Sequence, residues 1–367
     1  MRPPILADLR RYAISRSLFK PTTLPKAILK LGFVQADPIR APARAQDLTL
    51  RHRVTNYRAG DLERRYSRLA IEEDFFINYG FVPRDLHILM HPRTARQAWT
   101  KARWRQANAV LDFVRERGVV HPREVDAHFD HGKGTTWFGR PSNASTQLLD
   151  GMHYRGMLRI ARREGGIRLY APRVANEAPV DPTATMDTLV DILVNKYAPL
   201  PERTLTQLVY LLGSYGVPHW RDARKSALAR AKARLPHATI DGHVWYWPEG
   251  ENPRSRRHVV GDEVRLLAPF DPVVWDRRRF EIFWGWAYRF EAYTPAPKRV
   301  RGYYALPLLW RDAVVGWGNL SVADGRLISS FGYASGRAPK DPAFRLERDA
   351  ELGRIETFLG LAFPGSL

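Results

Sequence analysis

The clearest hydrophobic pattern begins after residue 100, where apolar residues recur with the period of an α-helix. They stand at positions i, i+3, i+4 and i+7: Ala107, Val110, Leu111 and Val114. This spacing predicts an amphipathic helix over Arg105–Arg117. Gly118 follows directly and is the expected stop, because glycine readily adopts the left-handed conformation found at helix ends.

The residues after this helix predict two further helices and a β-hairpin. Pro122-Arg123-Glu124 has the proline and the acidic residue that are typical of a helix N-terminus, and Asn143 is the expected N-cap of a third helix. Two strands are predicted at Leu158–Ile160 and Ile167–Tyr170, with their turn at Gly165-Gly166. Three helices followed by a hairpin is the order of a winged helix.

The same order returns further along the chain. Met186 begins a second stripe of helical spacing, and Thr204–Leu212 and Arg221–Leu235 predict the next two helices. Asp241-Gly242 predicts the turn of a closing hairpin. The first hundred residues are mostly helical, with Leu24–Leu31 as the clearest segment, and are a candidate third module. Repeated helices of a solenoid are the alternative, which the hairpin after each set of helices disfavours.

The pattern changes after Val259 to aromatic, β-branched and turn-rich sequence, which predicts a β-rich domain. We therefore predict an α+β protein in four parts: a first winged-helix-like module at 1–99, a second module at 100–180, a third at 181–259, and the β-rich C-terminal domain at 260–367. No segment approaches the roughly 20 apolar residues that cross a bilayer, and no signal peptide is evident. We expect a cytoplasmic protein with no membrane contact.

Charge adds a functional expectation to this fold. The chain has 58 Lys and Arg residues against 38 Asp and Glu, a net charge of +20. The excess of basic over acidic residues in the four parts, in chain order, is +9, +6, +3 and +2, so the positive charge is concentrated toward the N-terminus. This gradient predicts a polyanion-binding face on the first modules. The absence of cysteine excludes disulfides, zinc ribbons, iron–sulfur clusters and thiol nucleophiles.

Candidate chemistry lies just after the Leu24–Leu31 helix. The segment before Pro38 is expected to be extended, so Gln35 and Asp37 are expected to share one face while Val34 and Ala36 face the core. Arginines follow that are candidates for phosphate contact: Arg40, Arg44, Arg51 and Arg53. In the alternative, Asp37 only caps a turn or the next helix and Gln35 is a solvated strand residue. The spacing taken alone favours that alternative.

Four segments, in this order, resemble the bacterial YcaQ/AlkZ-type winged-helix DNA glycosylases. They are Gly32–Leu48 (GFVQADPIRAPARAQDL), Pro269–Arg277 (PFDPVVWDR), Tyr288–Arg299 (YRFEAYTPAPKR) and Gly302–Pro307 (GYYALP). The first segment lies about two hundred residues before the other three, so the resemblance spans nearly the whole chain. Where many relatives carry Trp-x-His, this chain reads FFINYG at Phe75–Gly80.

The resemblance implies three tandem winged-helix modules that line a concave basic cleft. It also implies an enzyme that excises N7-alkylated purines from double-stranded DNA and unhooks interstrand crosslinks, without a metal or other cofactor. The family's catalytic element is a glutamine, an apolar residue, and then aspartate or glutamine. In this chain the element is Gln35, Ala36 and Asp37, the aspartate form found in the YcaQ branch.

The chemistry of such a substrate explains why these residues would suffice. An N7-alkylguanine is already cationic, so its glycosidic bond breaks with little protonation of the base and leaves an oxocarbenium-like sugar. An ionised Asp37 would stabilise that cation and orient or deprotonate water, which Gln35 would help to hold. We expect a monofunctional and monomeric glycosylase. The alternatives are a non-enzymatic winged-helix regulator or lesion sensor, and an RNA-binding protein.

Further DNA contacts are expected from the C-terminal domain: Arg277, Lys298, Arg299, Tyr303 and Tyr304. For Asp271 and Asp276 the favoured interpretation is a turn in which carboxylates bind backbone amides, and a DNA-backbone clamp is the alternative. His87 and His91 have i, i+4 spacing but no glutamate between them and no evident third ligand, so we expect ordinary histidines. Gly132–Thr136 only partly resembles a phosphate loop, and nucleotide hydrolysis is not expected.

Overall fold

The computed structural model describes residues 4–94, 98–129, 133–135, 141–174 and 181–361. The helices are α1 Leu6–Ser17, α2 Leu24–Leu31, α3 Ala45–Leu50, α4 Asp61–Arg65, α5 Arg84–Leu89, α6 Lys101–Arg117, α7 Pro122–Phe129, α8 Ala144–Tyr154, α9 Pro182–Tyr197, α10 Glu202–Tyr215, α11 Arg224–Arg234, α12 Arg277–Trp284 and α13 Pro342–Leu359. Short 3-10 helices lie at Tyr66–Arg68, Pro218–Ala223 and Ala296–Lys298. No helix in the described ranges is long and apolar enough to span a bilayer.

The strands are β1 Val34–Gln35, β2 Ile71–Phe75, β3 Tyr79–Pro83, β4 Lys133–Thr135, β5 Pro141–Asn143, β6 Leu158–Glu164, β7 Ile167–Pro172, β8 Leu200–Pro201, β9 His237–Ile240, β10 His243–Tyr246, β11 Val264–Leu266, β12 Leu306–Trp310, β13 Ala313–Ala323 and β14 Arg326–Tyr333. The chain forms two compact units. One comprises Met1–Leu62, Asp187–Leu208 and Leu228–Leu367, and the other comprises Glu63–Met186 and Val209–Ala227. The four-part division at residues 99, 180 and 259 stays a prediction.

The helices and hairpin predicted between residues 100 and 180 are present as α6, α7, α8 and the antiparallel pair β6 and β7. Helix α6 ends at Gly118 as predicted, where φ is +76°. It begins at Lys101, four residues before the predicted start, because the Thr100 side chain caps it by accepting the Arg103 N–H at 3.2 Å. The apolar stripe starts only at Ala107, so periodicity did not indicate this first turn.

The second set of elements is also present, as α9, α10, α11 and the hairpin of β9 and β10. Asp241 and Gly242 form its turn with φ values of +48° and +74°, the left-handed conformation that a two-residue hairpin of this kind requires. Strand β8 pairs with β10 and extends the hairpin to a three-stranded sheet. The predicted third helix is divided, because a 3-10 turn at Pro218–Ala223 precedes α11.

Strands β2 and β3 form a hairpin that the hydrophobic pattern did not predict. Three successive acids, Glu72, Glu73 and Asp74, interrupt the apolar alternation, yet all three are buried. Arginines of the same unit compensate their charges: Arg84 and Arg159 bind Glu72, Arg163 binds Glu73, and Arg93 binds Asp74. Because a buried carboxylate is tolerated only with such partners, long-range pairing rather than local sequence decides this strand.

The predicted β-rich C-terminal part is present as the antiparallel sheet β11-β12-β13-β14. Its core includes Val274, Phe280 and Leu309, and Ile14 of α1 packs into the same cluster. A second cluster of this unit joins α1 to the β9–β10 hairpin, where Trp245 stacks on Phe283 with ring centroids 5.3 Å apart. Burial of this apolar surface stabilises the part of the unit that carries the candidate site.

A fully buried ion pair joins the N-terminal helices to the loop before α12. The Arg53 guanidinium donates through Nη1 and Nη2 to Asp271 at 2.7 and 2.9 Å, and neither side chain is exposed to solvent. Arg53 also donates to the carbonyls of Ser17 and Thr49, at the end of α1 and in α3. A two-point Arg–carboxylate pair of this kind fixes orientation as well as distance.

Removing the carboxylate should therefore cost the protein much of its stability. Asp271→Asn leaves the buried Arg53 cation without its counter-charge, and we expect a loss of about 3–5 kcal/mol in the free energy of unfolding. Urea unfolding monitored by tryptophan fluorescence measures it. The control is Asp191→Asn, which breaks the exposed pair with Arg234 in the same unit and should change stability by less than about 0.5 kcal/mol. Equal losses in the two variants would contradict the role given to the buried pair.

Candidate active site

The end of α2 sets the position of the candidate residues. Gly32 adopts φ +65°, and its N–H donates to the carbonyls of Ile28 and Leu29. A Cβ at this position would lie 2.8 Å from Ile192 Cγ2, so the turn needs glycine both for its conformation and for space. The chain leaves this turn as strand β1, which delivers Gln35 and then Asp37.

Burial does not alternate along this segment as the sequence predicted. Gln35 and Asp37 are only 7% and 8% exposed, whereas Ala36 is half-buried and Val34 is buried. The expectation that Ala36 faces the core is therefore wrong, and so is the alternative in which Gln35 is solvated. The physical reason is that Gln35 has a polar partner inside the protein, described next.

Two hydrogen bonds hold the pair in place. The Trp275 indole Nε1–H donates to Gln35 Oε1 at 3.2 Å, so the Gln35 amide oxygen is engaged. The described residues offer no acceptor to the two Nε2 protons, which can therefore donate to a ligand. The Asp37 N–H donates to Gln46 Oε1, also at 3.2 Å. The sequence did not indicate that Gln46 and Trp275 are hydrogen-bond partners of this pair, although both lie in segments that carry the family resemblance.

The Asp37 carboxylate has one engaged and one available oxygen. Oδ1 accepts the Ile39 N–H at 2.8 Å, so the turn-capping interpretation of Asp37 is correct for that oxygen. No donor to Oδ2 is present among the residues that the structure describes. Burial raises the pKa of Asp37, and the hydrogen bond from Ile39 opposes that rise.

The Asp37 charge also acts on aromatic residues of the C-terminal part. The Asp37 charge contributes to a raised pKa at Tyr293 and at Tyr304, after the larger effect of burial on each. Phe290 packs against both tyrosines and against Phe270, with ring centroids 5.2 to 6.0 Å apart. We refer to Phe270, Phe290, Tyr293 and Tyr304 as the aromatic cluster. Tyr293 is 81% exposed, so the cluster reaches the surface.

The loop that carries Tyr303 and Tyr304 is held by a buried acid. Glu291 Oε2 accepts the N–H groups of three successive residues, Val300, Arg301 and Gly302, at 2.8 to 3.3 Å. Gly302 has φ +121°, and a Cβ there would lie 2.2 Å from Asn319 Oδ1, so only glycine fits. The loop therefore presents its tyrosines in a fixed direction.

Lys196 of α9 is a further buried group that sequence analysis did not identify. Its Nζ donates to the carbonyl of Phe33, two residues before Gln35. Burial, with a smaller contribution from Arg53, lowers the pKa of Lys196 to about 7. The only sequence signal was a lysine on an otherwise apolar helix face, which is common at surfaces.

The predicted DNA contacts fall into two groups. Arg40 and Lys298 are exposed, Arg44 and Arg299 are half-buried, and Tyr303 is 45% exposed with the Arg299 guanidinium 5.0 Å from its ring centroid. For these five residues, DNA contact stays a prediction.

The other four predicted contacts pack or pair with groups of the protein itself. Arg53 is fully buried on Asp271, and Arg51 is nearly buried and paired with Glu351. The Arg277 guanidinium donates to the carbonyls of Val274 and Pro269 at 2.5 and 2.8 Å, and Tyr304 is 3% exposed. Arg51, Arg53 and Tyr304 have buried side chains, so the expectation that they bind DNA at the surface is wrong. Arg277 is half-buried, and its contact with DNA stays a prediction. Sequence showed their basic or aromatic character but not their buried partners.

The turn interpretation of the two aspartates is confirmed. Asp271 Oδ1 accepts the Val273 N–H at 3.1 Å in addition to pairing with Arg53. Asp276 is the N-cap of α12 and accepts the N–H groups of Arg278 and Arg279 at 3.0 and 3.2 Å. The DNA-clamp alternative is therefore wrong for both carboxylates.

His87 and His91 lie in the other unit and are buried, with Asp74 between them. Each Nε2 is 2.8 Å from Asp74 Oδ2, and Arg93 donates to Asp74 Oδ1 at 2.7 Å. These three groups, His87, His91 and Asp74, have the composition of a metal site, and Asp74 is the third ligand that the sequence did not suggest. Because Arg93 already balances the Asp74 charge, a hydrogen-bonded network accounts for the arrangement.

Comparison with known proteins gives two results. A family model described as DNA glycosylase AlkZ-like matches residues 28–331, a range that contains Gln35, Asp37 and the aromatic cluster. The structure resembles that of the Streptomyces sahachiroi DNA glycosylase AlkZ with a TM-score of 0.64 and 14% sequence identity, over 98% of each chain. At this identity the structural likeness shows a shared fold, which agrees with the α+β prediction.

Burial of Asp37 predicts that its ionised form lowers the stability of the folded protein. Because its pKa is raised, the folded chain binds more protons than the unfolded chain between the two pKa values, and stability falls as pH rises through that window. Asparagine carries no charge and still accepts the Ile39 N–H. We therefore expect Asp37→Asn to raise the melting temperature at pH 7, and the gain to shrink toward zero below about pH 3.9, the ordinary aspartate value.

Thermal unfolding followed by circular dichroism across this pH range measures the effect. Asp191→Asn is the control, because Asp191 lies in an exposed pair and its substitution should change the melting temperature little at any pH. A melting temperature for Asp37→Asn below that of the wild type at pH 7 would contradict the prediction.

Proposed function

The chain belongs to the AlkZ-like DNA glycosylase family, and we propose that it excises N7-alkylated purines and unhooks interstrand crosslinks with Asp37 as its catalytic group. A DNA glycosylase hydrolyses the bond between a base and its deoxyribose, so its substrate is DNA. The choice of lesion, the catalytic residues and the monofunctional, monomeric state belong to the proposal.

One observation supports Asp37 above all others. Asp37 Oδ1 accepts the Ile39 N–H and the Asp37 N–H donates to Gln46 Oε1, while Oδ2 has no protein donor among the described residues. A charge fixed in a partly desolvated position interacts strongly with a developing cation, since little solvent screens it. Sugar C1′ becomes such a cation when the base departs.

The proposed reaction is balanced without a cofactor. The C1′–N9 bond breaks and its electron pair neutralises the positive charge of the N7-alkylated purine, which leaves as a neutral base. A water oxygen forms the new bond to C1′, and the Asp37 carboxylate accepts the proton that this water releases. The Gln35 amide protons are available to orient water or sugar oxygen, because Trp275 fixes the opposite side of that amide.

DNA binding in this proposal relies on basic residues that remain at the surface. The net charge of +20 favours a polyanion, and Arg40 lies exposed only three residues from Asp37. Lys298 is also exposed, and it lies five residues after Tyr293 of the aromatic cluster in the chain. We retain the concave basic cleft and the cytoplasmic location as parts of the proposal.

Substitution of Asp37 tests the enzyme directly. We expect Asp37→Asn to slow base release by at least about 100-fold, since a carboxylate that acts as base and charge stabiliser contributes factors of this size. DNA affinity should persist, because the substitution removes a negative charge. Single-turnover release of N7-methylguanine and unhooking of a nitrogen-mustard crosslink from duplex DNA measure the rate, and fluorescence anisotropy measures the affinity. A wild-type protein that binds these duplexes and releases no base would favour the regulator or lesion-sensor alternative.

Substitution of Arg40 tests whether this side chain contacts a DNA phosphate. Arg40→Ala should weaken binding to damaged and undamaged duplexes alike and reduce the slope of log affinity against log salt concentration by about 0.9, the value for one phosphate contact on duplex DNA. Arg11→Ala is the matched control, because Arg11 is exposed but paired with Asp8. An unchanged slope in Arg40→Ala would exclude Arg40 from the interface.

A further inference from the structure

A cavity in the unit of Glu63–Met186 and Val209–Ala227 carries more positive than negative charge. Its volume is about 520 Å³, and it lies where the start of α5, strand β2, strand β6 and the end of β7 meet. Its wall includes Glu72, Arg84, Ile88, Arg159, Arg173 and Val174. Three guanidinium groups against one carboxylate leave an excess of two positive charges, which favours an anion as the occupant.

The carboxylate of Glu72 orients two of these arginines but cannot neutralise both. Its Oε1 accepts the Nε–H of Arg84 at 2.9 Å and that of Arg159 at 3.1 Å, and its Oε2 lies 3.2 Å from the same Arg159 nitrogen. Glu72 is buried, whereas Arg84 is exposed. Because Arg84 binds through Nε, its two terminal nitrogens keep their protons for another acceptor, and the described part of the chain supplies none.

The third arginine, Arg173, is half-buried and has no acceptor for its guanidinium within the described ranges. Its backbone N–H donates to the Met157 carbonyl at 3.1 Å, which fixes the residue beside the start of β6. Asp74 cannot serve as its partner, because one oxygen of Asp74 accepts from Arg93 and the other lies 2.8 Å from two histidines. Burial lowers the pKa of Arg173, although the charges of Asp74 and Glu72 oppose that effect. A half-buried cation without a counter-charge opposes folding, and a bound anion would relieve this cost.

We propose that this cavity is a phosphate-binding site, in which Arg84 and Arg173 donate to the phosphate oxygens and Arg159 adds positive charge. The planar guanidinium group suits phosphate, because its N–H groups match pairs of phosphate oxygens. The volume falls within the range of small-molecule sites, roughly 300–1,000 Å³, and leaves room for the sugar of a phosphate ester against Ile88 and Val174. The phosphate comes either from the DNA backbone, since the family acts on DNA, or from free phosphate. This site does not depend on the reaction proposed for Asp37.

Binding of undamaged duplex DNA tests the first source. We expect Arg173→Gln to reduce the slope of log affinity against log salt concentration by about 0.9, the value for one phosphate contact on duplex DNA. Fluorescence anisotropy over a series of salt concentrations measures the slope. Arg115→Gln is the matched control, because it removes an exposed arginine of the same unit that is paired with Asp112, and its slope should equal that of the wild type.

Thermal unfolding in sodium phosphate and in sodium chloride of equal ionic strength tests the second source. A ligand that binds only the folded state raises the melting temperature, so we expect phosphate to raise that of the wild type and of Arg115→Gln. Arg173→Gln should lose this increment. In chloride its melting temperature should match or exceed that of the wild type, because the substitution removes a half-buried cation without a counter-charge.

Arg84→Gln is a second variant, in which Glu72 keeps its contact with Arg159, and it should change both measurements in the same direction. A reduced salt slope in Arg173→Gln and Arg84→Gln identifies a DNA phosphate as the ligand, and loss of the phosphate increment alone identifies free phosphate. The inference is overturned if both variants keep the slope and the increment of the wild type. None of these measurements requires base release, so a failure of the proposed function would not affect their outcome.

Discussion

The buried pair of Arg53 and Asp271 is the interaction on which the rest of this unit depends. It joins segments that lie more than two hundred residues apart, and its remaining donors bind the ends of α1 and α3. Four residues after Asp271, Trp275 binds Gln35, so two of the four segments that resemble the glycosylase family are in contact. A buried charge that loses its partner strongly destabilises the folded protein. The Arg53–Asp271 pair therefore holds these two segments together.

The site carries features that oppose folding. Asp37 is a partly desolvated acid, Lys196 is a buried amine with its pKa lowered to about 7, and the buried Tyr304 hydroxyl has no partner within the described part of the chain. Each is unfavourable in the free protein. The apolar clusters around Phe280 and Trp245, together with the buried pair, supply the stability that such a site requires.

Arginine shows how far residue type can mislead about function. The excess of basic residues correctly suggests a polyanion partner, since the family acts on DNA. Yet Arg51, Arg53 and Arg277 bind carboxylates or carbonyls within the protein, and Arg93 and Arg163 balance buried acids of the other unit. The guanidinium group suits internal and external anions equally, because the same planar donor geometry serves both. Charge counts therefore indicate a class of partner and not the residues that touch it.

The sequence by itself determined helix α2, the helices between residues 101 and 235, the two later hairpins and the catalytic candidates, because helical periodicity, glycine turns and a short motif are local properties. It did not determine strand β2, the burial of Gln35 and Asp37, or the inward use of the arginines. Those depend on partners such as Trp275, Arg163 and Asp271, which are distant in the chain and are brought close only by folding. Local pattern thus indicated the elements with regular periodicity, and tertiary packing decided which polar groups are satisfied inside the protein and which remain available for chemistry.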